Sequence, residues 1–559
     1  MNKNKDPRKR PSKQTMDHYR KVKPVVLKEE KLPFPQRATL STGLTPHSGE
    51  WSEAQVVHLL KRTLFGAKRA EIDQFLSMTM DEAVEAIVQP SARHTPPVND
   101  YAPDGSEFED EVIPYGETWI EAPFSSEHEG SRIISLKAWI INNILTQETT
   151  IHEKLTLFWH NLLVTQFWDV FIAKTGYEYY QMLYDNAFGN YRDLAEKITL
   201  DPAMLIYLNG AFNNKEAPDE NYARELQELF CIGKGPNAGF TENDVYEAAR
   251  VLTGWSVTWE HYESEGDFDS RFHDWDHDTG DKQFSEFYGN RVIEGKSGGE
   301  GRNEVFEMLD MIFENEEVSY FICRRLYNFF VYHEIDEATE TNVITPMAQI
   351  FRDNNYEITP VLIALFKSEH FYDVANYGAS IKNPMDLLLG FARVLDNERP
   401  QDINELHIAN QEFIWTMAQA GLEIGDPPSV SGWQAYYQAP SFDKLWINTE
   451  TVIRRIQYSQ YNMWRSDLTI FINSLHNPSD PNEMIREAAL LLLGIELSEE
   501  VSNGLKSTLL TGQGSDEYWT FAWDQFINFP DNPDYRTTVQ NRLAAMFRSM
   551  LEFGEFQLM

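Results

Sequence analysis

Cysteine is nearly absent: two in 559 residues, Cys231 and Cys323. At most one bridge can form, so a disulfide framework is excluded, and neither cysteine has the C-x-x-C or Cys/His spacing of a zinc or redox site. Both sit among apolar residues in helix-like segments and read as buried free thiols. Long apolar runs are missing too. No window reaches the length of a membrane span, and no apolar stretch follows the basic N-terminus as it would in a secretory signal, so the sequence reads as cytoplasmic. The standard nucleotide loops G-x-G-x-x-G and G-x-x-x-x-G-K-[ST] do not occur, nor does the G-x-S-x-G elbow of the common serine hydrolases. Basic residues are in deficit, 48 Lys and Arg against 87 Asp and Glu, for a net charge of -39. Residues 1–31 hold 11 Lys/Arg and 4 Asp/Glu, or +7, which leaves -46 on the remainder. Such a body repels nucleic acid and anionic membrane and favours cationic partners.

What is present in quantity is large apolar side chains: 34 Phe, 25 Tyr and 14 Trp within a 42% hydrophobic composition. These bury much area each and supply a core. The helical period dominates and strand-like alternation is scarce, which predicts an all-α protein, a large bundle-like body with long loops. Residues 1–50 read as a disordered, flexible basic arm and linker, and 51–559 as one helical domain. WSEAQVVHLLKRTLFG reads as a helix capped by Ser52, with Val56, Leu59, Leu60 and Leu64 on its apolar face. Residues 95–123 are acidic and carry Pro and Gly, as a long surface loop does. HEKLTLFWHNLLVTQFWDVF, 152–171, reads as one central helix, and DENYARELQELF, 219–230, as an amphipathic one. Thr241 caps a helix over TENDVYEAARVLTGW that Gly254 ends. A polar loop over 263–302 follows, then further helices, with 450–559 as a helical C-terminal part.

The loop contains HDWDHDTGDKQF, 273–284, whose Asp274, Asp276 and Asp278 mimic the start of an EF-hand. The register fails, because Gly280 stands at the seventh place instead of the sixth and Ser285 occupies the twelfth. His277 and Asp278 fit an acid/base dyad with Lys282 as a positive group, and they fit equally a turn in which aspartates bond nearby amides. His160, inside an otherwise apolar helix, is either a satisfied core histidine or a site residue facing a cleft. On the 219–230 segment, Glu220, Arg224 and Glu228 form i, i+4 pairs that a solvated face explains. The functional alternative there gives Glu225 and Glu228 to a metal.

HLLKRTLFGA (58–67), EKLTLFWHNLLVTQ (153–166), PAMLIYLNG (202–210), ENYARELQELFCIG (220–233), FTENDVYEAARVLTGW (240–255), HDTGDKQF (277–284), KNPMDLLLG (382–390), PPSVSGW (427–433) and EFQL (555–558) occur in this order. Together they resemble the bacterial DUF1800 family over about residues 51–558. The resemblance implies a large helical protein of unknown activity, often encoded beside DUF1501 proteins, which resemble the phosphatase and sulfatase superfamily. Many members carry export signals, which the basic head here does not match. It also singles out the polar residues Trp159-His160-Asn161, Asn221, Arg224, Glu225, His277-Asp278 and Lys282, with Gly254-Trp255 and Gly432-Trp433. Of these, His160, Arg224, Glu225 and His277 are expected to share one polar site, assembled between two helices and the loop.

Three functions follow as expectations. The first is a metal-assisted or acid/base hydrolase. It holds one divalent ion by His160, Glu225, His277 and Asp278, with Arg224 and Lys282 stabilising an anionic substrate. The second is a non-catalytic accessory protein that docks a DUF1501-type partner, with the polar residues as an internal network. The third is carbohydrate binding through aromatic clefts. Substrate and oligomeric state are not legible in the sequence.

Overall fold

The helical period of the sequence becomes helices in the computed structural model, which describes residues 40–103, 105, 109–258 and 268–559. The basic arm as far as residue 39, the centre of the acidic loop and the start of the polar loop lie outside the described residues. The chain from Leu40 on is docked, not loose. Pro46 bridges Ser368, His47 donates its N–H to the Lys367 carbonyl, and Glu369 donates to Thr45.

Helix α1, Glu53–Thr63, begins at Ser52 and buries Val56, Leu59 and Leu60, the expected face. The acidic stretch that follows is more than a surface loop: Trp119 is buried, and Asp110 is buried against Arg132, 3.1 Å away. Arg132 belongs to α2, Glu129–Leu145. Helix α3, His152–Leu162, is buried along its whole length and is the central element, packed on α4, Ala173–Asp185.

The single helix expected over 152–171 breaks after Leu162, and only a short turn, Phe167–Val170, resumes. The break has a tertiary cause. The Leu163 carbonyl accepts from the Tyr179 hydroxyl at 2.6 Å, and the Phe167 N–H donates to Gly425, so both are committed outside a helix. The 219–230 segment also departs from a simple helix. Helix α5, Glu220–Glu225, runs into a π-helical turn, Leu226–Cys231, in which the Gln227 carbonyl takes the N–H groups of both Ile232 and Gly233.

Helix α6, Glu242–Val251, has the expected Thr241 cap, reinforced by the Asp244 side chain. The polar loop beyond it folds into two antiparallel ribbons. Trp255–Val257 (β1) pairs with Ser270–Phe272 (β2), and Lys282–Gln283 (β3) with Val292–Ile293 (β4). Helix α7, Glu304–Phe313, closes this region. Farther on, α8, Pro384–Leu395, lies against α2 and against α9, Ile403–Gln419; α10, Thr451–Arg465, and α11, Pro481–Leu493, also pack on α8. Both cysteines are buried and free. Among the described residues no helix is long and apolar enough to cross a membrane.

Candidate functional site

Three of the expected residues meet. His277 directs Nδ1 at the Thr253 carbonyl, 2.9 Å away, and its Nε2 lies 3.1 Å from Glu304 Oε1. Lys282, wholly buried, donates to Glu304 Oε2 at 2.5 Å and to the Asp278 carbonyl. Asp278 accepts from Nε and Nη2 of Arg250, both at 2.9 Å, and Arg250 continues to Glu247 at 2.5 Å. The HDTGDK loop is thereby stitched to the C-terminal end of α6 and the start of α7. Burial alone would raise the Glu304 carboxyl, but its contacts with His277 and Lys282 and the Lys296 amide more than offset this and hold it below the ordinary range. The fit around the imidazole is close. A Cβ on Gly301 would stand 2.5 Å from His277 Cδ2, so only glycine is accommodated there.

His160 lies in different surroundings. The Tyr179 hydroxyl gives its single proton to the Leu163 carbonyl at 2.6 Å, so the 2.9 Å contact with His160 must run from Nδ1–H to the tyrosine oxygen. This leaves a lone pair on Nε2, which is buried without a hydrogen-bond partner. The rings of Phe167, Tyr180 and Trp433 stand 5.8 to 6.0 Å from the imidazole. Burial first, and Lys137 second, pull the imidazole down to about 3, so it is neutral at physiological pH.

The neighbouring Asn161 explains two motifs at once. Its Oδ1 accepts from the Trp433 N–H at 3.0 Å, and Gly432, at φ +87°, lies so close that a Cβ would be 2.3 Å from the Asn161 carbonyl. FWHN and SGW are two halves of one joint. Beside it, Lys137 places its ammonium 2.6 Å from Asp426 and 2.7 Å from Glu423, at 5.1 Å from the Trp168 ring centre.

Arg224 and Glu225 form no hydrogen bond or ion pair with either group. Arg224 pairs with Glu242 at 2.7 Å and Glu220 at 2.9 Å, which ties α5 to the start of α6. Glu225 is half-buried, and burial, then Glu228, push its carboxyl up. Among the described residues no hydrogen bond, ion pair or ring contact joins His160, Glu225 and His277 to one another. Nor, among them, is any group of three or more His, Cys, Asp or Glu placed to hold a metal ion. The expected ligand set His160, Glu225, His277 and Asp278 therefore does not fit a metal. The open nitrogen of His160 is walled by aromatic rings, and the carboxylate nearest His277 is engaged by Lys282.

Reading by sequence missed Arg250 and Glu304, the partners that complete the loop network. Arg250 stands in the FTENDVYEAARVLTGW segment and was available as a basic residue near a helix end. Glu304 carried no signal, because an acid in the first turn of a helix is ordinary.

Residues 58–558 match the model of a family described as "Protein of unknown function (DUF1800)". No curated protein and no solved structure matches.

Proposed function

The chain belongs to the DUF1800 family, and from that premise we propose that it is an accessory protein that docks a DUF1501-type protein, with the polar motif residues serving as an internal frame. The observation that carries this reading is the outer face of α9 and α10. Ile408, Glu412, Trp415 and Gln419 recur at helical spacing on α9, and Glu412 and Gln419 pair with Arg465 and Arg454 of α10. On this joined surface Trp415 is 58% and Trp464 60% exposed, with Ile408, Ile453 and Tyr461 exposed about them. Of the 21 exposed large apolar side chains among the described residues, 12 fall at or beyond Ile408, which concentrates them in one part of the chain. Tryptophan, tyrosine and arginine dominate the energetics of protein interfaces. The acidic body favours a partner with a basic face.

The motif residues support the same reading. Asp278, Lys282 and Arg224 each face a group of opposite charge, and His277 abuts the Glu304 carboxylate, so each is committed to a neighbour within the fold. The test is binding of the purified chain to a purified DUF1501-type protein from the same source. A complex is expected, weakened by about thirtyfold or more in Trp415→Ser or Trp464→Ser, the loss of one hot-spot side chain. Failure to form a complex, or equal affinity in both folded variants, overturns the proposal.

A second reading has its own observation. Trp168 and Trp415 line one open cleft of about 340 Å³ with Lys137, Gln419 and Glu423, an arrangement of aromatic walls and polar groups suited to a sugar ring. Binding of neutral oligosaccharides that disappears in Trp168→Ala would favour it, and a blank glycan array would remove it.

A further inference from the structure

Four of the motif segments converge on one point that the frame just described does not use. Lys61 and Arg62 come from HLLKRTLFGA, Lys154 from EKLTLFWHNLLVTQ, Lys382 and Asp386 from KNPMDLLLG, and Phe556 and Gln557 from EFQL. The Leu492 carbonyl accepts from Lys61 Nζ at 3.2 Å and from Lys382 Nζ at 3.4 Å, so the two ammonium groups lie side by side. Lys382 also donates to the Phe556 carbonyl at 2.8 Å and stands 4.8 Å from that ring's centre. Behind it, Arg455 donates to Gln557 at 2.8 Å and to the Lys382 carbonyl at 2.7 Å, and its Nη1 is buried with no hydrogen-bond partner.

The charges do not balance. Among the described side chains, the carboxylate in this group is Asp386, and it is paired with Lys154, while the Met559 α-carboxylate, on a residue that also lines the cavity, forms no ion pair with either Lys61 or Lys382. Lys61, Lys382 and Arg455 donate to neutral carbonyl and amide oxygens. Between the lysines is a cavity of about 30 Å³, lined also by Asp386, Gly390, Phe556 and Met559. That is room for roughly two water-sized groups.

We propose that this cavity, between α1, α8 and α11, binds two oxygens of a small oxyanion, the unit that a carboxylate and inorganic phosphate share, held by Lys61 and Lys382. Like charges gathered in a poorly hydrated place are costly, and a bound anion removes that cost by supplying the missing charge with charge-assisted hydrogen bonds. The strain shows in both amines. Burial, then Arg62, pull Lys61 down to about 7, and burial, then Lys61, hold Lys382 well below the lysine range. An oxyanion between them would raise both. The acidic exterior gives no long-range attraction for an anion, so capture depends on these local groups.

The test is isothermal titration of the full chain with sodium acetate and, separately, inorganic phosphate at constant ionic strength set with chloride. One saturable equivalent of at least one of the two is expected, and which one binds identifies the source. Affinity should fall about tenfold or more in Lys61→Met and in Lys382→Met, the loss of one charge-assisted hydrogen bond each. If Lys382→Met does not fold, Lys61→Met alone decides, with Lys61→Arg expected to retain binding. No saturable binding of either anion by the wild type, or undiminished affinity in a folded Lys61→Met, overturns the site.

Discussion

Two buried groups of charge are built in opposite ways. Around His277 the carboxylates of Glu304, Asp278 and Glu247 alternate with Lys282 and Arg250, so every permanent charge touches an opposite one. Around Lys382 the cations outnumber the side-chain carboxylate, and backbone oxygens take up the donors. Both groups gather residues of the motif segments around partners from outside them, Glu304 in the first and Arg455 in the second. The first explains itself as architecture, since a matched network fixes a loop between two helices and asks for nothing more. The second is unfinished without something from outside, which is what distinguishes a site from a brace.

The largest expected effect comes from making the matched group resemble the unmatched one. Glu304→Ala leaves Lys282 buried with its counter-charge gone and should cost about 3–5 kcal/mol in urea unfolding. Glu304→Leu combined with Lys282→Met removes both charges together and should recover much of that loss. Equal destabilisation by single and double variants would show that the pair does not govern stability here.

Next comes the uncharged member of the interior, His160. Its folded value near 3 lies below the ordinary 6.5 of an unfolded histidine. Between these limits the unfolded chain binds more protons, so this group's contribution is complete above pH 6.5 and is lost as pH falls towards 3. From pH 6.5 to 4.5 the wild type should lose on the order of 2 kcal/mol more than His160→Gln. Parallel urea midpoints for the two proteins over that range would contradict the assignment.

The unmatched group should respond at the other end of the scale. Lys61 sits at about 7 in the folded protein, below its unfolded value, so between pH 7 and roughly 10 the unfolded chain again binds more protons and stability rises with pH. In Lys61→Met that rise should flatten, and at pH 7 the variant should be no less stable than the wild type, because it removes a repelled charge. Thermal unfolding at pH 7, 8.5 and 9.5 checks both. The smallest effect belongs to Arg224, which is partly exposed among Glu220, Glu228 and Glu242. Arg224→Ala should change stability by less than about 1 kcal/mol, and less still at high salt.

Part of this was legible in one dimension. Ser52 and Thr241 cap the helices they were expected to cap, and Val56, Leu59 and Leu60 are buried on the expected face. Local backbone geometry sets such features, and neighbours in sequence report on them. The breaks were not legible. Leu163 leaves the helix because a tyrosine 16 residues away takes its carbonyl, and Phe167 turns because its amide meets Gly425. Of the candidate site, the loop trio His277, Asp278 and Lys282 was found by pattern, while its partners Arg250 and Glu304 were not. The lysines drew no attention because, read singly, a lysine on a helix is a solvated residue.

By itself the sequence determined an all-α body, its caps, its motif segments and the acidic excess of everything beyond the first 31 residues, because periodicity, capping and composition are local or additive. Only the tertiary structure decided which motifs meet: FWHN with SGW, HDTGDK with Arg250 and Glu304, and four segments from both ends of the chain around Lys61 and Lys382. The physical reason is that charge is matched or left unmatched by distance in space, and distances in space depend on the packing of helices far apart in sequence.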